Sequence, residues 1–139
     1  MVLLASTHHA LAERESANWS ELAGLPLIAI GPQSANRRLL ESVQTRLGLD
    51  LAWRHEVQRL STAVELVAAG MGLAVLPQLA ATTSRRTDVR AIALLNPPVM
   101  RRLGVLRRSG EVLSPAADAL RRAFGAELRL RLPIQVRQD

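Results

Sequence analysis

Residues 60–77 read LSTAVELVAAGMGLAVLP, and residues 26–48 read PLIAIGPQSANRRLLESVQTRLG. The first stretch is a helix, a glycine turn and a buried strand. Val64, Val67 and Ala68 recur at the spacing of one helix face, Gly70 breaks the pattern, and Leu73 to Leu76 is an unbroken apolar run stopped by Pro77. A strand that is apolar throughout suits a parallel sheet covered by helices on both faces. The second stretch is a strand, a polar turn and a helix. Leu27 to Ile30 is the strand, Gly31 and Pro32 punctuate it, and Ser34 caps a helix running through Leu47. Leu39, Leu40, Val43 and Leu47 share a face of that helix, and Gly48 lies just past its end. Between the two stretches, Leu51 to Val57 reads as another strand, and Ser61 as the cap of the second helix. Three strands and two helices make a βαβαβ unit of parallel strands with right-handed crossovers, so the fold class is α/β. Turns of this kind gather anionic and polar ligands at the carboxyl ends of the strands. The pattern points to ligand sensing, not to a set of catalytic groups.

Outward from this unit, Val2 to Ser6 is an apolar run whose strand needs partners from later in the chain or from another chain. Thr7 to Asn18 reads as a loop, and Trp19 to Ala23 as one helical turn ended by Gly24. Residues 82–88 form a polar connector. Val89 to Leu94 and Arg102 to Leu106 read as strands on either side of Asn96, Pro97 and Pro98. Ser114 and Pro115 start a helix with an apolar face of Leu113, Ala117, Leu120 and Phe124, and residues 128–132 alternate like a strand.

At 139 residues the chain fits one modest domain and buries roughly two-thirds of its unfolded surface. Hydrophobic residues make up 48% but aromatics only 2%, so the core is built from Leu, Val, Ile and Ala. With no cysteine, disulfides and thiolate metal sites are excluded, which suits a reducing compartment. No apolar run reaches the ~20 residues of a membrane span, and the opening MVLLASTHHALAER lacks the basic start of a secretory signal. The net charge is +6, and all 18 basic residues are arginine. Their pairs are scattered and no aromatic residues interleave with them, so they do not form a nucleic-acid stacking surface.

The motifs of catalysis are missing. His55 and Glu56 are not followed by the second His of a zinc helix, since position 59 is Arg59. Gly70, Met71 and Gly72 follow a helix instead of opening one, and no nucleophile elbow or phosphate-binding loop is present. No catalytic residue, metal site or cofactor is expected, and the chain does not read as an enzyme. His9, His55, Trp19 and Trp53 read as structural. The candidate ligand groups are Gln33, Ser34, Ala35, Asn36 and Arg37 at one helix start, and Leu60, Ser61 and Thr62 at the next. Free N–H groups, a hydroxyl and a nearby cation can hold a carboxylate; simple capping is the competing reading at both places.

HHALAERE at 8–15, WSELAGLPLI at 19–28, HEVQRLSTAVELVAAGMGLAVLP at 55–77 and LSPAADAL at 113–120 together resemble the effector-binding domain of LysR-type transcriptional regulators. The resemblance runs from Met1 to about Phe124; Ala10 stands where the family usually has proline. It implies a periplasmic-binding-protein-like (type II) fold of two α/β lobes around a cleft. Residues 1–25 would end lobe one and cross over, 26–80 would form lobe two, 81–126 would return to lobe one, and 127–139 would be a tail. The family's helix-turn-helix, linker helix and opening part of lobe one are unmatched, so the chain reads as a fragment. The implied function is effector sensing in a DNA-binding regulator. The partners would be a small-molecule effector, a carboxylate or an aromatic metabolite, and further copies of the chain in a dimer or tetramer. DNA would be met only through an N-terminal domain, in the cytoplasm and away from membranes. The implied effector-binding residues are the eight named above. The alternatives are a stand-alone solute-binding protein and a ligand-free dimerisation module of the same fold.

Overall fold

The computed structural model describes residues 1–84, 86–101, 105–106, 108–110 and 112–131. Contacts divide the chain into two units, 1–101 and 102–139. The expected boundaries at 25/26 and 80/81 both fall inside the first.

The first unit contains β1 (Val2–Ser6), β2 (Ser16–Asn18), β3 (Leu27–Ile30), α1 (Ala35–Leu47), β4 (Trp53–Val57), α2 (Leu60–Ala68), β5 (Ala74–Leu76), α3 (Gln78–Thr83) and β6 (Val89–Leu95). Two short 3-10 turns, Ala10–Glu13 and Trp19–Leu22, lie between β1 and β3. β3 and β4 pair in parallel, with Ile30 opposite Val57. On its other edge β3 meets Leu73 in a single parallel bridge. There Ile28 N–H donates to the Leu73 carbonyl at 2.8 Å, and Leu73 N–H donates to Pro26 at 2.9 Å. The spatial order is therefore third strand, β3, β4. The chain steps from β3 to β4 and then returns across β3, so right-handed crossovers put α1 and α2 on opposite faces. The core agrees with this arrangement. Leu40 and Val43 of α1 pack with Leu27 and Leu73, while Ala63, Val64 and Val67 of α2 pack with Ile28 and Ile30.

The third strand departs from the expected continuous parallel unit. After Leu73 its ladder passes to β1, antiparallel, with Val2 opposite Leu76 and Leu4 opposite Ala74. β1 also pairs antiparallel with β6, which carries β2 in parallel on its far side, giving a sheet ordered β2-β6-β1-β5. The partners that Val2 to Ser6 needed thus come from later in the same chain. All five residues of β1 are buried, and they alternate between the two cores: Leu3 and Ala5 to one, Val2 and Leu4 to the other. Trp19 is 1% exposed, and its indole N–H donates to the Pro97 carbonyl at 3.0 Å. Its apolar body fills the core while its polar edge keeps a partner.

Local readings fared unevenly. The α1 cap at Ser34, its end at Gly48 in the left-handed region, and β3 agree with expectation. Residues 7–18, expected as loop, hold a 3-10 turn and β2; three residues of strand between polar neighbours carry no period to read. The expected connector at 82–88 begins inside α3, a short helix that starts right after Pro77. α2 is capped at Arg59, not Ser61, and no side chain makes the cap bond. Of the strand expected at Arg102 to Leu106, residues 102–104 lie outside the described residues, and Val105 and Leu106 are not strand.

In the second unit α4 spans Pro115–Arg131, and the Ser114 hydroxyl accepts from Ala117 N–H at 3.2 Å as the sequence led one to expect. Of the strand expected at 128–132, residues 128–131 are helix, because the Leu and Arg there are good helix formers and extend an existing helix without a new nucleus; residue 132 lies outside the described residues. Among the described residues no helix is long and apolar enough to cross a membrane.

Gly72 has φ +148°, and a Cβ there would stand 2.6 Å from the Pro26 carbonyl, at the point where Leu73 bonds β3. Gly72→Ala is expected to cost about 3 kcal/mol in urea unfolding, against about 1 kcal/mol for Gly48→Ala, where φ is +62° but the space is open. The cap of the second 3-10 turn supplies a pH-dependent term. Glu21 accepts from Asn18 N–H at 2.7 Å and pairs with Arg14, whose guanidinium, ahead of the Asn18 bond, holds the Glu21 carboxyl below its ordinary range. That stabilisation is full above the unfolded carboxylate value of about 4.3 and is lost as pH falls through the lowered folded value. The melting temperature of wild type minus that of Glu21→Gln is therefore expected to be constant near neutrality and to shrink below about pH 4.

Candidate functional site

β3 ends at Ile30 and the chain reaches α1 through Gly31, Pro32, Gln33 and Ser34; β4 ends at Val57 and reaches α2 through Gln58 and Arg59. The two strands are neighbours, yet their helices depart to opposite faces. Such a divergence opens a crevice outside the carboxyl ends of the strands, the usual ligand position in open α/β sheets. The two strand ends are tied by Gly31 N–H donating to the Val57 carbonyl at 2.8 Å.

At the first helix start, Ser34 is extended (φ −78°, ψ 142°) and its hydroxyl accepts from Arg37 N–H at 3.0 Å. The N–H groups of Ala35 and Asn36 have no partner within the helix, and α1 has no acidic residue in its first turn to offset its dipole. Gln33 is exposed, and its carbonyl accepts from Arg38 at 3.2 Å. The Arg37 guanidinium lies one turn along instead, donating to Glu41 at 2.7 Å and stacked 4.5 Å above the Trp53 ring. Of the cations near this turn, the structure brings Arg38 to it. Asn36 is only 4% exposed. Its amide donates to the Val75 carbonyl at 3.1 Å, where β5 has parted from β3, and its Oδ1 is buried without a partner. A buried acceptor left unpaired costs on the order of 1–3 kcal/mol.

At the second helix start, Ala63 N–H bonds the Arg59 carbonyl at 3.2 Å, so the N–H groups of Leu60, Ser61 and Thr62 lie ahead of the helical ladder. This first turn also lacks an acid. Ser61 and Thr62 are exposed, while Leu60 is half-buried against the core that α2 covers. Both sets of candidate residues thus sit on one strand-end edge.

Two residues that sequence reasoning passed over join the two turns. A Cβ on Gly31 would stand 2.8 Å from Gln58 Oε1 and 3.0 Å from Gln58 Nε2, so the Gln58 carboxamide lies directly over Gly31. The residue after a strand had marked only the end of that strand; that it faces a side chain 27 positions later is a product of strand pairing. His9 is engaged elsewhere: its Nδ1 accepts from Leu11 N–H at 3.2 Å to cap a 3-10 turn. Among the described residues no group of three or more His, Cys, Asp and Glu is placed to hold a metal.

Residues 1–129 match the family model of the LysR substrate binding domain. The uncharacterized HTH-type transcriptional regulator YbhD of Escherichia coli (strain K12) is 38% identical over 117 residues, which are 84% of this chain and 37% of YbhD. The chain therefore spans little more than a third of that relative. The regulatory domain of Synechocystis PCC6803 CcmR, solved in complex with 2-PG, superposes with a TM-score of 0.75 at 23% identity, over 91% of this chain and 61% of that one. The effector binding domain of QuiR, in complex with shikimate, gives a TM-score of 0.67 at 20% identity over the same shares. At these identities the likeness of the solved structures is one of fold, a periplasmic-binding-protein-like type II architecture. The family itself rests on the sequence match across nearly the whole chain: this protein belongs to the LysR family of transcriptional regulators, by its substrate-binding domain.

Proposed function

We propose that the chain is the effector-sensing part of a LysR-type regulator, and that it binds a small anion at the carboxyl ends of β3 and β4. The observation that carries this reading is the pair of adjacent helix starts, both without first-turn acids, leaving to opposite faces of the sheet. Ser34, Ala35 and Asn36 with Gln33 form one wall, and Leu60, Ser61 and Thr62 the other; Arg37 steadies α1 through Glu41 and Trp53. In this reading residues 26–80 supply the lobe-two wall of a cleft that lobe one completes. A carboxylate, free or carried on an aromatic ring, suits the donors on the edge.

Sensing requires that the effector bind one arrangement of the regulator better than another; occupancy then shifts their populations. The readout would be a change in how copies of the chain associate, as dimer or tetramer, on DNA held by a separate N-terminal domain, in the cytoplasm. An association role also fits α4, where Leu120 and Phe124 are 71% and 52% exposed. Sedimentation of the chain with and without effector tests this role, and a mass that stays monomeric in both states rules it out.

Ser61→Asp separates the anion reading from simple capping. A carboxylate in the first turn of α2 is expected to stabilise the helix by about 0.3–1 kcal/mol and so to raise the melting temperature. It would also repel a bound anion. Titration calorimetry with 2-PG and shikimate as first probes is expected to show weaker binding in the more stable variant, severalfold at low ionic strength. Equal affinities in the two proteins would leave only the capping role. Ser34→Ala is expected to cost about 1 kcal/mol of stability and to weaken the same probes.

A further inference from the structure

Resting on the effector reading above, the geometry points to the class of effector: an anion whose own skeleton also donates a hydrogen bond, such as a hydroxy- or amino-substituted carboxylate, with Gln58 as the residue that reads the donor. The edge does not offer donors alone. The N–H groups at the starts of α1 and α2 suit the anionic group. Beside them stand two carboxamides that flank the Gly31–Ser34 turn and whose oxygens are uncommitted.

The first is Asn36. Its amide nitrogen is spent on the Val75 carbonyl at the end of β5, and its oxygen is buried with no partner. Asn36 is 4% exposed, so this acceptor is held at the edge away from bulk water. The second is Gln58, the first residue after β4. It makes no hydrogen bond among those of the described residues, yet its carboxamide is seated over Gly31, in contact with the floor between the two turns. Gly31 is buried, and no left-handed backbone angle demands glycine there. Its lack of a side chain is what leaves room for the Gln58 carboxamide. An exposed glutamine normally ranges over several rotamers. Packed over Gly31, this one places an acceptor and a donor beside the two helix starts.

A site that holds a hydrogen-bond acceptor in place discriminates against the analogue that lacks the donor, because that acceptor is then left unpaired. The test is titration calorimetry on the full chain with matched pairs: glycolate against acetate, lactate against propionate, 4-hydroxybenzoate against benzoate. Wild type is expected to prefer the hydroxylated member of at least one pair by about tenfold, the factor one neutral hydrogen bond supports. In Gln58→Met, which keeps the length and removes the amide, the hydroxylated acid is expected to lose about tenfold more affinity than its plain partner. Gly31→Ala provides the second variant. It leaves Gln58 in the sequence but pushes its flexible tip off the floor, and the preference is expected to fall there too. Wild type that binds the acids with no hydroxyl preference, or variants that keep the wild-type ratio, would overturn the role of Gln58 and the effector class while leaving the anion site standing. Wild type that binds none of the six acids would instead remove the anion-effector reading itself, and this inference with it.

Discussion

The two hydrogen bonds that Leu73 makes to Pro26 and Ile28 join what would otherwise be two separate sheets. One residue earlier, Gly72 leaves no room for a side chain beside the Pro26 carbonyl; one residue later, Ala74 is already paired with Leu4 of β1. The third strand therefore belongs to two neighbourhoods at once. It closes the parallel layer against β3 and supplies the edge of the antiparallel layer around β1. Because β1 splits its side chains between both cores, displacement at this junction would be felt by α1 and α2 alike. Interiors packed at crystal-like density pass such shifts on instead of absorbing them.

The same junction sets the crevice. With the third strand on one side of β3 and β4 on the other, the two crossovers must run in opposite directions, and α1 and α2 must cover opposite faces. Neighbouring strands whose chains leave to opposite sides cannot fill the space at their carboxyl ends with their own backbone. Where β5 turns away toward β1, its Val75 carbonyl is met not by another strand but by the Asn36 side chain. The polar character of the edge thus follows from the way the sheets are joined.

The arginines have a more local role than the net charge of +6 suggests. Arg14 pairs with Glu21, Arg37 with Glu41, Arg86 with Glu65 and Asp88, and Arg121 and Arg122 with Asp118. Pairs this exposed contribute little stability each. They do place these guanidinium groups at turns and along helices, beside nearby acids.

The elements of the site were legible in the sequence because each is announced locally. A strand ends in Gly31-Pro32, a hydroxyl precedes a helical period at Ser34, and a glycine follows it at Gly48. The parallel α/β class followed from the order of those signals, and the family from motifs spaced along the chain. What tertiary structure alone decided are the relations between residues far apart in sequence. The register of β3 on β4 brings Gln58 onto Gly31, and the parting of β5 from β3 buries Asn36 against Val75. A side-chain rotamer held by Glu41 and Trp53 turns Arg37 away from the helix start that its sequence position favoured. The α2 cap at Arg59 in place of Ser61 has the same origin, since the last pairs of β4 fix where the helix can begin. Local propensity specifies which elements form; strand pairing and the opposite-face crossovers determine which side chains meet.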